Sequence, residues 1–197
     1  MLAEDRLKSF PTESEIVNRA RAGQAAAFDE LFVLHKDGVY ACLWHLLGGD
    51  AESVEEAVGA VFLNAYRSLQ GFRGESAFST WLYRIAVNEA RLRIRQKRRW
   101  QLPGWLSLHG PDAAAETQQR TQNPEEQFVR AEQDGKLWQA VSALPEPYRT
   151  PVILRYMSDM PSPEIAEVLG RPAGTIRYQL SRAVQILRDR LGSEWAK

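Results

Sequence analysis

The sequence predicts an all-α protein built as two small helical domains joined by a flexible linker. Residues 14–99 contain three long stretches with apolar residues at helical spacing and no alternating strand pattern. Residues 100–123, WQLPGWLSLHGPDAAAETQQRTQN, hold two Pro and two Gly with little periodicity. Helical spacing returns over 124–193. A chain of 197 residues suits one large domain or two small ones. The aperiodic segment decides for two, at 14–99 and 124–193 with 100–123 between them.

Each element has a local reason. Residues 1–13 are polar, with Pro11, and read as a loose lead-in. Ser14 with Glu15 is expected to cap a short helix through Ala22, and Gly23 breaks it. A longer helix follows through Phe28, Leu31, Phe32, Leu34, Tyr40, Leu43, Leu46 and Leu47 to Gly48 and Gly49. Asp50 is placed to cap the next one, whose apolar positions are Val54, Val58, Val61, Phe62, Ala65, Tyr66 and Leu69. After a polar loop comes the helical run FSTWLYRIAVNEARLRIRQKRR. In the linker, Trp100, Leu102, Trp105, Leu106 and Leu108 are too apolar for a free tether, so its first half is expected to dock. Asn123-Pro124-Glu125-Glu126 reads as N-cap, N1 proline and dipole-matched acids. Val129, Leu137, Ala140, Val141 and Leu144 face the core of that helix, and Pro145 ends it. The next helix covers about 147–157, where Pro151 either kinks it or marks its first turn. Pro161-Ser162-Pro163 opens a short helix through Leu169. Gly170 ends that helix, and Arg171-Pro172 turn the chain into a long one over about 173–191.

The composition excludes several classes. The net charge is zero, yet residues 84–99 hold seven Lys or Arg against the single acid Glu89. The balancing acids lie elsewhere, at Glu52, Glu55 and Glu56 and at Glu125, Glu126, Glu132 and Asp134. Such segregation steers a polyanion to one face while the whole stays soluble. The lone Cys42, in an apolar helical run, reads as a small core residue in a reducing compartment. There is no signal peptide or long apolar span, which predicts a soluble cytoplasmic protein without membrane insertion. His35, His45 and His109 lack metal-ligand spacing. No carboxylate pair, nucleophile or Gly-rich phosphate loop has catalytic spacing. The expectation is a binding protein rather than an enzyme, with no cofactor, metal or small-molecule substrate.

Two faces carry chemistry. On the helix after Phe78, positions Phe78, Trp81, Leu82, Ile85 and Leu92 fall within about 100° and form the expected core stripe. Arg84, Asn88, Arg91 and Arg95 share a second face roughly 90° away. A solvated basic face is the plain reading of such a run. Against it stand the scarcity of acids and the preceding loop, with Phe72 and Phe78 at its ends and Arg73, Ser76 and Ala77 between. Aromatics beside cations bind unstacked bases. The second face belongs to a helix-turn-helix candidate. Ala166 permits a close crossing, Gly170 makes the turn, and Ile176, Leu180, Ala183, Leu187 and Leu191 face inward. That leaves Thr175, Arg177, Tyr178, Ser181, Arg182 and Gln185 outward, where a recognition helix reads base edges.

The run FRGESAF followed by TWLYRIAVN resembles regions 2.3 and 2.4 of extracytoplasmic-function (ECF) sigma factors, the promoter-specificity subunits of bacterial RNA polymerase. The run LPEPYRTPVILRYMSDMPSPEIAEVLGRPAGTIRYQLSRAVQILRDRL resembles sigma region 4. The resemblance implies a helix around 51–69 that docks on the polymerase clamp, with Glu55, Glu56, Val58, Phe62 and Asn64 as contacts. It implies a −10 element held by Phe72, Arg73, Ser76, Ala77, Phe78, Arg84, Asn88, Arg91 and Arg95, with one base flipped into the loop. It also implies a −35 element read by Arg171, Thr175, Arg177, Tyr178, Ser181 and Arg182. Core RNA polymerase, promoter DNA and an anti-sigma factor are the implied partners.

Three places depart from the family pattern. Gly59-Ala60 stands before Val61-Phe62-Leu63 where a Gln-Glu pair is usual, which puts a glycine inside the docking helix. Glu89 falls in the apolar stripe, where it either pairs with Arg93 at i+4 or faces a partner. Arg177-Tyr178-Gln179-Leu180 replaces the common Arg-Ser-Arg-Leu. The competing readings are a helix-turn-helix regulator that works without polymerase and a sigma-like adaptor that starts no transcription.

Overall fold

The computed structural model describes residues 11–100 and 135–192. Helix α1 spans Glu13–Arg21, α2 Ala25–Leu47, α3 Ala51–Ser68 and α4 Phe78–Trp100, with a 3-10 turn at Leu69–Gly71 before the loop into α4. In the second unit α5 covers 135–142. It is followed by α6 Glu146–Met157, α7 Ser162–Leu169 and α8 Ala173–Leu191. No strand occurs among the described residues. The expected linker beyond Trp100 lies outside them, as do the start of the second unit at 123–134 and His109.

The helices begin and end for local reasons, with two corrections. Thr12, not Ser14, caps α1. Its Oγ1 accepts from the Glu15 N–H at 3.4 Å while Glu15 Oε2 accepts from the Thr12 N–H at 2.7 Å, so the Thr-x-x-Glu spacing closes a capping box. Asp50 precedes α3 but caps no backbone group. Its Oδ2 instead accepts from Ser53 Oγ at 2.9 Å. Pro151 sits inside α6, six residues in, and is buried. Pro147 occupies the first turn, where its missing N–H costs nothing.

α2, α3 and α4 pack on one another, with α1 against α2. The buried face of α4 is broader than the expected stripe and turned from it. Leu82, Tyr83, Ala86, Val87 and Ala90 are buried with Phe78, Trp81 and Ile85 are partly so, and Leu92 stays 43% exposed. The cause is tertiary: α4 has α2, α3 and α7 as neighbours, so inward-facing residues cover more than one seam. Gly38, in mid-α2, allows one of these close approaches, since a Cβ there would lie 2.6 Å from Tyr83 Oη. Arg93 resolves the place of Glu89. Its Nε donates to Glu89 Oε1 at 2.8 Å and its Nη1 to Glu56 Oε2 at 2.9 Å, tying α4 to α3.

Gly59 stands in contrast to Gly38. It is exposed in mid-α3, and a Cβ there would meet nothing within 4 Å. Gly59→Ala is therefore expected to stabilise the chain by roughly 0.5–1 kcal/mol, because only the helix penalty of glycine is removed. A melting temperature at or below wild type would contradict this.

The two helical units are not held apart. α7 packs on α4 and α6 on α2. The His45 ring of α2 stacks on Trp138 of α5, with centroids 3.7 Å apart. Burial pushes His45 below its ordinary value of 6.5. The folded chain thus binds this proton less readily than the unfolded chain. The His45 contribution to stability is intact above pH 6.5 and is lost as the pH falls below it. The melting temperature should accordingly drop on acidification from pH 7.5 to 5.5. His45→Phe, which keeps a ring on Trp138, should make that drop shallower. An identical pH slope in the variant would refute the role of His45.

Candidate nucleic-acid interface

The first face is built on α4 and the loop that leads into it. Arg84, Asn88 and Arg95 are exposed along one side of the helix, and Arg91 lies among them, half-buried. Neither Arg84 nor Arg95 has an ion-pair partner among the described residues. Arg91 Nη2 is 3.5 Å from Glu146 Oε1 of α6. Arg73 in the loop is 82% exposed, and its 3.9 Å approach to Glu75 is too wet to tie it down. Gly74 turns the loop with a left-handed φ of +72°.

Phe72 and Phe78 are placed differently from the sequence expectation. Both rings are turned inward, 7% and 4% exposed, and meet edge to face with centroids 5.9 Å apart. Closing the loop between α3 and α4 buries them, and that burial outweighs keeping large rings in water. The aromatic surface left to the outside belongs to Trp81, half-buried, 5.2 Å from Phe72 and 5.6 Å from Phe78 between centroids. Trp81 borders an open cleft of about 470 Å³ with Gly71, Phe72, Arg73, Glu75, Ser76, Arg84 and, from α7, Glu167. Ser76 is half-buried in this cleft and the neighbouring Ala77 is exposed. Sequence reasoning assigned Trp81 to the core only. Its position three residues before Arg84, almost on the basic face, was the signal that could have found it.

The second face is the α7–turn–α8 unit. Gly170 takes a left-handed φ of 64° at the end of α7, and the Arg171 N–H returns to the Ala166 carbonyl at 3.0 Å. That cap closes the turn tightly and aims α8 across α7. Ile165, Ala166, Val168, Leu169, Ile176 and Ala183 form the seam, with Leu180 and Leu187 partly buried. Gln179 is also buried, at a position the sequence reading left out of the core. Thr175, Arg177, Tyr178, Ser181 and Arg182 are exposed, Tyr178 by 65%, and Arg171 is half-buried at the turn. A second open cleft, about 460 Å³, runs beside them between α6, the start of α7 and α8. Arg155, Tyr156, Ser162 and Arg188 line it together with Arg177 and Ser181. Sequence reasoning missed these four, although Arg177, Ser181 and Arg188 follow i, i+4, i+11 spacing on one stripe.

Helix α3, on which docking residues were expected, divides between core and surface. Glu55, Glu56 and Asn64 are exposed, Val58 is half-buried, and Phe62 points into the core. The Phe62 ring meets Phe32 of α2 at 4.7 Å, so it is a packing residue and offers no docking surface. The outward stripe runs instead through Glu55, Gly59, Leu63 (48% exposed) and Tyr66 (53% exposed). Among the described residues no group of His, Cys, Asp and Glu could hold a metal ion. No described helix is long and apolar enough to cross a membrane.

A helix-turn-helix unit and a basic helix beside an aromatic cleft, with only helices among the described residues, define the class as a DNA-binding protein. Residues 31–100 match the family model of sigma-70 region 2, and residues 134–187 match that of sigma-70 region 4. The chain is 31% identical to the ECF RNA polymerase sigma-E factor of Haemophilus influenzae, over 91% of this chain and 95% of that one. It is 30% identical to the ECF RNA polymerase sigma factor SigW of Bacillus subtilis, over 89% and 94%. The fold is shared with CnrH, solved with the cytosolic domain of CnrY (TM-score 0.64, 21% identity, 89% of this chain and 94% of that one). It is shared also with the sigma factor RpoE of Bartonella quintana, solved with the anti-sigma factor NepR (TM-score 0.61, 20% identity, 83% and 96%). The chain belongs to the ECF sigma factors of the sigma-70 family.

Proposed function

We propose that the chain binds core RNA polymerase in the bacterial cytoplasm and gives it promoter specificity, as a binding subunit with no catalysis, cofactor or substrate of its own. In this reading residues 14–99 and 124–193 are separate working domains, and 100–123 connects them through the polymerase. The −35 duplex meets Arg171, Thr175, Arg177, Tyr178, Ser181 and Arg182. The −10 strand runs over Arg84, Asn88, Arg91 and Arg95, with one base in the cleft of Arg73, Ser76 and Trp81 and Ala77 at its edge. Phe72 lines the floor of that cleft, and Phe78 packs behind it against Phe72 and Trp81. Glu55, Glu56 and Asn64, with Leu63 and Tyr66 beside them, dock on the polymerase. An anti-sigma factor completes the set of partners, in line with the NepR complex of the RpoE chain that shares this fold.

The observation that carries the reading is the outward row on α8. Its first three turns expose two arginines, two hydroxyls and a tyrosine on a helix whose opposite side is seated on α7. Run-off transcription with purified core polymerase on genomic fragments tests it: transcripts should start at discrete sites only when the chain is added. Arg177→Ala and Arg182→Ala should each weaken upstream-element recognition by about 1–3 kcal/mol, the worth of a good base contact. Equal output from intact and scrambled −35 sequences by the wild type would leave no specificity to lose. Tight, specific duplex binding without polymerase would favour the regulator reading.

A further inference from the structure

Helix α8 departs from the common Arg-Ser-Arg-Leu run at Tyr178 and Gln179, and these two side chains lie on different sides of it. With Ile176 at zero and about 100° per residue, Leu180, Ala183 and Leu187 fall within about 40° of it and mark the core side. Tyr178 then stands at about 200°, opposite the core. Gly174, Ser181 and Gln185 share that outward line, at about 160°, 140° and 180°. Gly174 has no side chain, and that of Ser181 is short. Gln185 is turned along the helix, where its Nε2 donates to Asp189 Oδ1 at 3.0 Å. Tyr178 is thus the longest free side chain on the line. Its ring is 65% exposed and makes no ring contact or hydrogen bond among the described residues. Arg177 and Arg182 flank it, both exposed.

Gln179 goes the other way. It falls at about 300°, on the edge of the core. It is only 9% exposed, and its Oε1 has no hydrogen-bond partner. Glutamine reads adenine through N6 and N7, but a side chain held in the seam reaches no base. The second cationic position of the common run is thereby withdrawn from the groove. Chemistry then selects what Tyr178 can read. A helix laid in the major groove turns its outward line to the base edges. Those edges carry donors and acceptors and a single apolar group, the C5 methyl of thymine. Ring carbons laid over a donor or acceptor would strand it without a partner. Laid over a methyl, they bury apolar surface at a gain. The phenol hydroxyl can end on a phosphate oxygen, which leaves the ring edge for the base.

We propose that Tyr178 reads a thymine in the upstream element, with its ring packed on the C5 methyl of one base between the contacts of Arg177 and Arg182. The proposal rests on the sigma-factor reading for where α8 binds, and deepens it by naming the base and the group that is read. Promoters used by this chain therefore carry a thymine at one fixed −35 position.

The test begins with a promoter library randomised over the −35 segment, from which holoenzyme and, in parallel, the full chain alone select binding sequences. Deoxyuridine then replaces each selected thymine in turn, which removes the methyl and nothing else. At one position wild type should lose about fourfold in binding, the value of one buried methyl. Y178F keeps the ring and should lose the same there. Y178A should bind the unsubstituted sequence about fourfold more weakly and be indifferent to deoxyuridine everywhere. R177A should weaken binding yet keep the methyl effect. Selection of no thymine, no deoxyuridine effect at any position, or an effect that survives Y178A would overturn the proposal. So would its loss in Y178F, which would assign the contact to the hydroxyl. A methyl effect in a chain that never starts transcription with core polymerase would sink the sigma role and leave the thymine reading standing. Transcription with core polymerase but without the methyl effect would sink the thymine reading alone.

Discussion

Leu82→Ala is expected to cost about 2–5 kcal/mol of folding stability, the largest loss for any single truncation considered in this chain. Leu82 is 0% exposed in α4, the helix that touches α2, α3 and α7 at once. Truncation removes buried hydrocarbon and leaves a cavity that helices pinned on three sides cannot collapse to fill. Natural domains are stable by only about 5–15 kcal/mol, so the variant should unfold at much lower urea. Leu92→Ala, on the same helix, is the control. Leu92 is 43% exposed, and its loss should cost less than about 1 kcal/mol. Urea titrations followed by circular dichroism decide the matter. Similar costs at both positions would mean that α4 presents the stripe expected from sequence, rather than the face described above.

That contrast shows where sequence was sufficient. The turn after α7 could be read locally, because Gly170 and Pro172 allow few conformations, and the α8 face followed from the spacing of Ile176 and Ala183. The basic face of α4 followed in the same way, since arginines with few nearby acids stay outside. What failed depended on neighbours remote in sequence. Which residues of α4 are inward is set by three packed helices, and periodicity alone assumes one seam. Phe72 and Phe78 carry the loop signature of base-stacking residues, but closure of α3 on α4 draws them into the core and leaves Trp81 at the surface. Thr12 was passed over as a cap because Ser14 stood nearer the first apolar residue, although the Thr-x-x-Glu spacing was present. The closure of the two units had no local signal. Glu164 meets Thr80 from 84 positions away.

Trp81→Ala should reduce the binding of holoenzyme to an opened −10 segment by about 1–3 kcal/mol, while leaving its affinity for the same segment as duplex nearly unchanged. Extruding a base costs a few kcal/mol. A ring that stacks on it returns roughly 1–3 kcal/mol, and Trp81 is the aromatic that borders the cleft with part of its surface still in solvent. Wild-type holoenzyme should therefore prefer a bubble or a non-template single strand to duplex. The preference should follow base identity at one position, since one cleft holds one base. Ser76→Trp or Ala77→Trp should fill the entrance and abolish the preference, with −35 binding intact because α8 is untouched. Phe78→Leu provides the contrast: that ring is buried and does not line the cleft, so the change should lower stability and leave the base preference in place. Competition binding with duplex, bubble and single-strand probes, each with all four bases at every −10 position, reads all of this. If holoenzyme is indifferent to strand opening, or Phe78→Leu and Trp81→Ala act alike on base preference, the cleft holds no base and the chain binds its promoters as duplex alone.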